Sequence, residues 1–223
     1  MHILKSQQLN DLDLLELGKG LSSVKSQYLE DMILHWDFGP IMELKFDQTA
    51  SNYLFSCEEV PFHWDGAFFK EPRKLLFYCN ESVGEGGETL FTNTQAIYKD
   101  LSQKERELAG EIRLRYKTSK IAHYGGEIEV PLVQSHPESG EFILRVAEPV
   151  STALNPVSLE ILGPVEAEAF FFDLTQRLYM SKYLYEHSWE KGDLVICDNF
   201  TFLHGRRALG RNIKRSFKRV QIL

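Results

Sequence analysis

Pro61-Phe62-His63-Trp64-Asp65-Gly66 sets a histidine and an aspartate two residues apart in an aromatic-rich stretch. On an extended chain, residues i and i+2 face the same way, so His63 and Asp65 can reach one ion while Trp64 turns into packing. A second histidine, His204, lies far downstream, just after the apolar run Leu194 to Leu203. Two imidazoles and one carboxylate are the ligand set of the facial triad that holds iron(II) in non-haem oxygenases. Such a set covers one face of an octahedral ion and leaves three positions open, two for a chelating keto acid and one for O₂. A ligand so distant in sequence needs a fold in which remote strands meet across an interior, as they do in a barrel or jelly roll. Taken alone, His63 and Asp65 read more readily as a local hydrogen-bonded pair and His204 as a core histidine. His123, His136 and His187 compete as ligands; His136 is explained by its turn, and the other two have no carboxylate two residues away.

Around this stretch the chain reads as many short strands and few helices. Leu29, Met32, Ile33 and Trp36 fall at helical spacing, which predicts a short amphipathic helix over Ser22 to Trp36, stopped by Gly39-Pro40. Strands are expected over Ile41 to Phe46, Lys74 to Asn80, Glu88 to Thr92, Glu111 to Lys117, Leu194 to Leu203 and Ser216 to Leu223. Thr94 to Ala109 reads as a helix in two pieces, restarted by the capping box Ser102 and Glu105. His136-Pro137-Glu138-Ser139-Gly140 joins Val130 to Val133 and Glu141 to Val146 as a hairpin. Gly163-Pro164 opens a helix reaching about Tyr179. The Gly-Gly pair in Ile121 to Glu127 permits a loop able to move over a site. Eight or more short strands make the fold class mainly β, a jelly roll with a few flanking helices.

The 223 residues suit a single domain spanning residues 1–223. A formal net charge of −7 argues against a nucleic-acid binder. Three cysteines without paired spacing do not form a disulfide framework. The N-terminus has no signal-peptide core, and no apolar run approaches the roughly 20 residues that cross a bilayer. The expectation is a cytoplasmic protein with no membrane partner, its oligomeric state open and a homo-oligomer among the options.

Period-two alternation in the last strand places Arg215, Phe217 and Arg219 on one face and Ser216, Lys218, Val220 and Ile222 on the other. If the arginine face looks inward, two buried guanidiniums need carboxylates, which they bind through paired hydrogen bonds. A dicarboxylate such as 2-oxoglutarate would satisfy Arg215, and a substrate anion Arg219. A solvated basic edge strand is the other option.

Together these residues resemble the taurine dioxygenase (TauD/TfdA) family of Fe(II)/2-oxoglutarate-dependent oxygenases. The resemblance runs from Pro61 to Leu223. It is carried by Pro61 to Gly66, Gly86-Gly87-Glu88-Thr89-Leu90-Phe91, Ser135 to Gly140, Trp189-Glu190-Lys191-Gly192-Asp193-Leu194, and Asp198-Asn199-Phe200-Thr201-Phe202-Leu203-His204-Gly205-Arg206. Two of these segments are also similar to the branch that makes vinyl isonitriles from amino-acid isonitriles, the PvcB-like enzymes. The resemblance implies a double-stranded β-helix. It implies that His63, Asp65 and His204 ligate iron, that Thr89 and Arg215 bind the C5 carboxylate of 2-oxoglutarate, and that Arg219 meets a substrate anion. It also implies release of succinate and CO₂ while a small organic substrate is hydroxylated or desaturated. The presence of Asp65 argues against halogenation. A non-catalytic jelly-roll binding protein and a zinc or manganese enzyme without a keto acid are the alternatives.

Overall fold

The computed structural model describes residues 1–47, 57–83, 85–119, 126–151, 156–210 and 214–223. Tyr53 and His123, and the Gly-Gly loop apart from Gly126 and Glu127, lie outside the described residues.

A five-stranded sheet has the order β1 (His2–Leu4), β12 (Leu194–Asp198), β4 (Lys74–Val83), β14 (Lys214–Ile222), β2 (Ile41–Asp47). Facing it is a four-stranded sheet of β11 (Leu184–His187), β5 (Thr89–Asn93), β13 (Phe202–Arg206) and β3 (Val60–His63). A three-stranded sheet, β10 (Ser158–Leu162), β6 (Arg113–Thr118) and β7 (Gly126–Pro131), and the hairpin β8 (Val133–Ser135)–β9 (Phe142–Leu144) complete the strands. All ladders are antiparallel. This is the mainly β jelly roll expected of the sequence.

Alternation along β4 decides what lies where. Leu75, Phe77 and Cys79 point between the two facing sheets, with Phe91, Val195, Cys197 and Phe217. Leu76 and Tyr78 point to the outer side, where Leu14 of helix α1 (Asp11–Leu21) packs with Val220 and Ile222. Behind the four-stranded sheet, α2 (Thr94–Asp100), α3 (Gln103–Glu111) and α4 (Ala167–Leu178) bury Ile97, Ala109, Phe170, Phe171 and Leu174 against Phe62, Leu90 and Leu203. The capping box restarts α3: Ser102 Oγ accepts from Glu105 N, and the Glu105 carboxylate accepts from Ser102 N. No helix among the described residues is long and apolar enough to cross a membrane.

Three expectations are corrected. The helix predicted over Ser22 to Trp36 shrinks to a 3₁₀ turn at Leu29–Asp31. Its apolar residues are instead satisfied by strand-like docking on β14: Leu34 N donates to Gln221 O, Leu223 N to Met32 O, and Ile33 bridges Ile222. The helix of this region lies earlier, at α1, where Asn10 caps the N-H groups of Leu12 and Asp13. Second, Leu194 to Leu203 is not one strand. The Asp198 carboxylate accepts from Phe200 N (2.9 Å) and Thr201 N (2.7 Å), closing a turn that carries the chain from β12 in one sheet to β13 in the other. Third, α4 starts at Ala167 rather than at Pro164.

Asn199, in that turn, is fully buried and clamps the loop after His63. Its Oδ1 accepts from Asp65 N (3.0 Å), and its Nδ2 donates to Asp65 O (3.0 Å) and Pro72 O (2.9 Å). Asn199→Ala leaves these groups buried without partners, so it should destabilise the protein by on the order of 3 kcal/mol. Urea unfolding checks this, and a loss below about 0.5 kcal/mol, the scale of an ordinary surface change, would show that the clamp is idle.

Candidate active site

β3 and β13 run side by side, and His63 and His204 are directly opposed in the ladder. Their ring centroids are 4.2 Å apart. Asp65 follows β3 at once, held by the Asn199 clamp and by a turn that only glycine fits. Gly66 has φ +82°, and a Cβ there would sit 2.2 Å from Lys70 O. Asp65 Oδ1 lies 3.8 Å from His63 Nε2 and 3.6 Å from His204 Nε2. These separations are too long for hydrogen bonds. Among the described residues this is the one cluster of three His, Cys, Asp or Glu side chains with converging donor atoms, all within 4.8 Å of one another.

The protonation states suit an ion. His63 Nδ1 lies 2.9 Å from the Pro61 carbonyl, which only accepts. The proton therefore sits on Nδ1, and Nε2 presents its lone pair. Burial, together with the His63 and Arg219 charges and against the pull of Asp65, pushes His204 down to about 3, so its ring is neutral. Burial alone would raise Asp65, but Arg219, His204, His63 and the hydrogen bond from Gln221 overcome it and hold the carboxyl at about 2. Two imidazoles and one ionised carboxylate, with Asp65 and His204 buried and His63 half-buried, fit a divalent metal of the iron type.

Arg215, Phe217 and Arg219 do face inward: Phe217 packs between the facing sheets, and the two guanidiniums reach Thr89 and Asp65. Nor is β14 an edge strand, since it lies between β4 and β2. The two arginines divide the interior. Arg215 donates through Nη1 to Gly87 O and through Nη2 to Thr89 Oγ1 (3.2 Å), and stacks over Phe217. Thr89 Oγ1 also accepts from Trp189 Nε1 at 2.8 Å. With both acceptances used, the Thr89 hydroxyl proton is free to donate to an anion beside Arg215. Burial, then the Arg206 charge, lowers Arg215 to about 9, so it is still a cation at neutral pH. A desolvated guanidinium beside a hydroxyl, paired with no carboxylate among the described residues, fits the far carboxylate of a keto acid.

Arg219 sits on the triad itself. Its Nη1 is 2.9 Å from Asp65 Oδ2, and its Nε is buried without a partner. The sequence pairs Arg219 with a substrate anion and carries no signal for this contact, which forms between β14 of one sheet and the segment following β3 of the other. Gln221 joins it, at the next period-two position after Arg215, Phe217 and Arg219. Gln221 Nε2 donates to Asp65 Oδ2 at 2.7 Å, and its Oε1 accepts from Trp36 Nε1 at 2.8 Å. Trp64 is buried as expected, edge-on to Tyr116 and under the Arg145 guanidinium.

The competing histidines have other work. His136 Nδ1 accepts from Glu138 N and Ser139 N in its turn, and Nε2 meets Asp198 at 3.1 Å. His187 Nε2 meets buried Asp193 at 3.1 Å.

The model of the taurine catabolism dioxygenase TauD, TfdA family matches residues 2–221. A 3-((Z)-2-isocyanoethenyl)-1H-indole synthase from Fischerella ambigua is 42% identical over 199 residues, 86% of this chain and 73% of that protein. A tyrosine isonitrile desaturase from Pseudomonas aeruginosa is 33% identical over 208 residues, 88% of this chain and 71% of that protein. Among solved structures, PvcB, an Fe, alpha-ketoglutarate dependent oxygenase from an isonitrile synthetic pathway, superposes with a TM-score of 0.77 at 28% identity. That match covers 99% of this chain and 74% of PvcB. With its jelly roll, its ligand cluster and these relatives, the chain belongs to the TauD/TfdA family and is an iron(II)- and 2-oxoglutarate-dependent oxygenase of a small-molecule substrate.

Proposed function

We propose that residues 1–223 form one oxygenase domain that oxidises an isonitrile derived from an aromatic amino acid to the vinyl isonitrile. His63, Asp65 and His204 would hold the iron, Arg215 and Thr89 the C5 carboxylate of 2-oxoglutarate, and Arg219 the carboxylate of the substrate. The observation that carries the reading is the convergence of His63, Asp65 and His204 with two inward arginines on one strand. When bound, iron with 2-oxoglutarate and O₂ supplies an oxidant that removes hydrogen from a C–H bond, with succinate and CO₂ released.

The chain's own residues set the rest. Ladder opposition of His63 and His204 fixes two donors on a rigid sheet, and the Asn199 clamp fixes the third. Arg215 and Thr89 orient the co-substrate from its far end. The buried Nε of Arg219 offers an unused N–H to a substrate carboxylate next to the metal. A ring has a seat nearby. Trp36 stacks on Phe38 (centroids 6.2 Å, 10° between planes) and packs on Phe69 at 6.1 Å. Phe38 and Phe69 are 61% and 54% exposed, an aromatic surface on Trp36, which is one hydrogen bond from Gln221 and two from Asp65.

The names of the two relatives above carry an indole bearing an isonitrile on a double bond and a tyrosine isonitrile. For a 2-isocyano-3-arylpropanoate, loss of two hydrogen equivalents and CO₂ gives the arylvinyl isonitrile, and one O₂ with one 2-oxoglutarate accounts for the two electrons and yields water. Supplied with Fe(II), ascorbate, 2-oxoglutarate and the tyrosine- or tryptophan-derived isonitrile, the enzyme should form the vinyl isonitrile and succinate in equal amounts. A hydroxylated product that retains its carboxylate would replace desaturation by hydroxylation. Succinate release that none of these acids stimulates would overturn the substrate assignment.

A further inference from the structure

We propose that Gln221 is a positioning residue that fixes which oxygen of Asp65 faces the iron, and that Trp36 fixes Gln221 in turn. The inference rests on the reading of His63, Asp65 and His204 as the iron ligands.

Gln221 is 3% exposed and is held on β14, where its carbonyl accepts from Leu34 N at 2.8 Å. Its side-chain amide has two ends of similar shape and opposite polarity. The indole N–H of Trp36 can only donate, so at 2.8 Å it takes Oε1 and leaves Nε2 for Asp65. Turned the other way, the amide would set an oxygen against the carboxylate and an NH₂ against the indole N–H. One donor on Trp36 thus sets the polarity of the whole chain from Trp36 to Asp65.

The consequence falls on Asp65. Gln221 Nε2 meets Oδ2 at 2.7 Å, while Oδ1 lies toward His63 and His204. Arg219 cannot enforce this choice, because its Nη1 reaches both oxygens, Oδ2 at 2.9 Å and Oδ1 at 3.2 Å. Gln221 is the contact that distinguishes them. A carboxylate held in this way offers one oxygen to an ion. Released, it can turn and offer two, filling a position that the keto acid or O₂ needs. Partners that orient ligands in this way are commonly worth roughly 10- to 100-fold in metal affinity.

The test uses the full chain without metal and Co(II) as the probe. Gln221→Met keeps the side-chain length and removes the amide, whereas Trp36→Phe keeps an aromatic ring and removes the N–H together with part of the indole. Both variants should bind Co(II) roughly 10- to 100-fold more weakly than the wild type. Both should show altered Co(II) d–d absorption, a signature that loss of packing alone does not produce. Thermal unfolding without metal reports whether each variant is folded, and if Gln221→Met is not, Trp36→Phe decides. Affinities within twofold of wild type and an unchanged d–d spectrum would overturn the inference. A wild-type protein that takes up no Co(II) would instead remove the metal-site reading, and the inference with it.

Discussion

Asp65→Ala should strip the protein of iron and also cost it about 3–5 kcal/mol of stability before any metal is added, the range for orphaning a buried charge. The second half of that expectation separates Asp65 from the two histidines proposed to ligate with it. The carboxylate is the counter-ion of Arg219 at 2.9 Å and the acceptor for Gln221 at 2.7 Å, in a place closed to water. Its removal leaves the Arg219 guanidinium without a counter-ion and the Gln221 Nε2 without an acceptor. His204→Ala removes a neutral ring whose Nδ1 has no partner, so it breaks no charge pair. Both variants should fail to retain Fe(II) on reconstitution, whereas urea unfolding of the metal-free proteins should show the larger loss for Asp65→Ala. Retention of iron by either variant would remove the triad. Equal stability of Asp65→Ala and wild type would show that Arg219 does not depend on this carboxylate.

The pair His63 and Asp65 was legible because period two is a backbone property. Once Phe62 to Asp65 is extended, the two side chains share a face whatever the rest of the chain does. The same rule turned Arg215, Phe217 and Arg219 inward together, and it extends to Gln221. What it could not supply was the strand's neighbours. Only the packing on the two faces of β14, the opposite sheet over Phe217 and helix α1 over Val220 and Ile222, decides that the arginine face looks into the barrel. Nor could it show that Arg219 lies against Asp65, since that contact depends on how the two facing sheets are set.

Two of the three corrected segments are read from apolar patterning alone, and a different interaction overrides it in each. The apolar residues Met32, Ile33 and Leu34 have helical spacing, but tertiary pairing with Gln221, Ile222 and Leu223 outweighs it. Leu194 to Leu203 is apolar enough for a single strand, yet Asp198 closes a turn through two backbone N–H groups. That turn lets β12 and β13 sit in different sheets and places buried Asn199 against Asp65. The Asp198-Asn199 pair was visible as a motif, and aspartate followed by asparagine is a turn signal. Set inside an apolar run, that signal was overridden by the run.

Arg215→Ala should raise the 2-oxoglutarate concentration for half-maximal succinate release by roughly 30-fold or more, the lower end of the cost of truncating one side of a buried, hydrogen-bonded charge pair. Arg215 is fixed by Gly87 O, by Thr89 Oγ1 at 3.2 Å and by its stack on Phe217, so its fork is oriented before any anion arrives. Its binding energy is therefore not spent on ordering a long side chain. Arg215→Lys should recover only part of the loss, because an ammonium restores the charge without the planar pair of donors. Thr89→Ala should cost less, about tenfold, as expected for one hydrogen bond from a neutral hydroxyl to a carboxylate, worth about 1.5 kcal/mol. Metal-free stability should move in the opposite sense to Asp65→Ala. Arg215 is a desolvated cation with no carboxylate partner among the described residues, so truncating it relieves burial of an unpaired charge and should leave unfolding unchanged or shifted upward. Succinate release measured against 2-oxoglutarate concentration, beside urea unfolding of the same preparations, decides the matter. If Arg215→Ala keeps the wild-type concentration dependence, the far carboxylate of the co-substrate is held elsewhere. If it lowers stability as Asp65→Ala does, Arg215 is a structural partner of the turn at Gly87 and not an anion site.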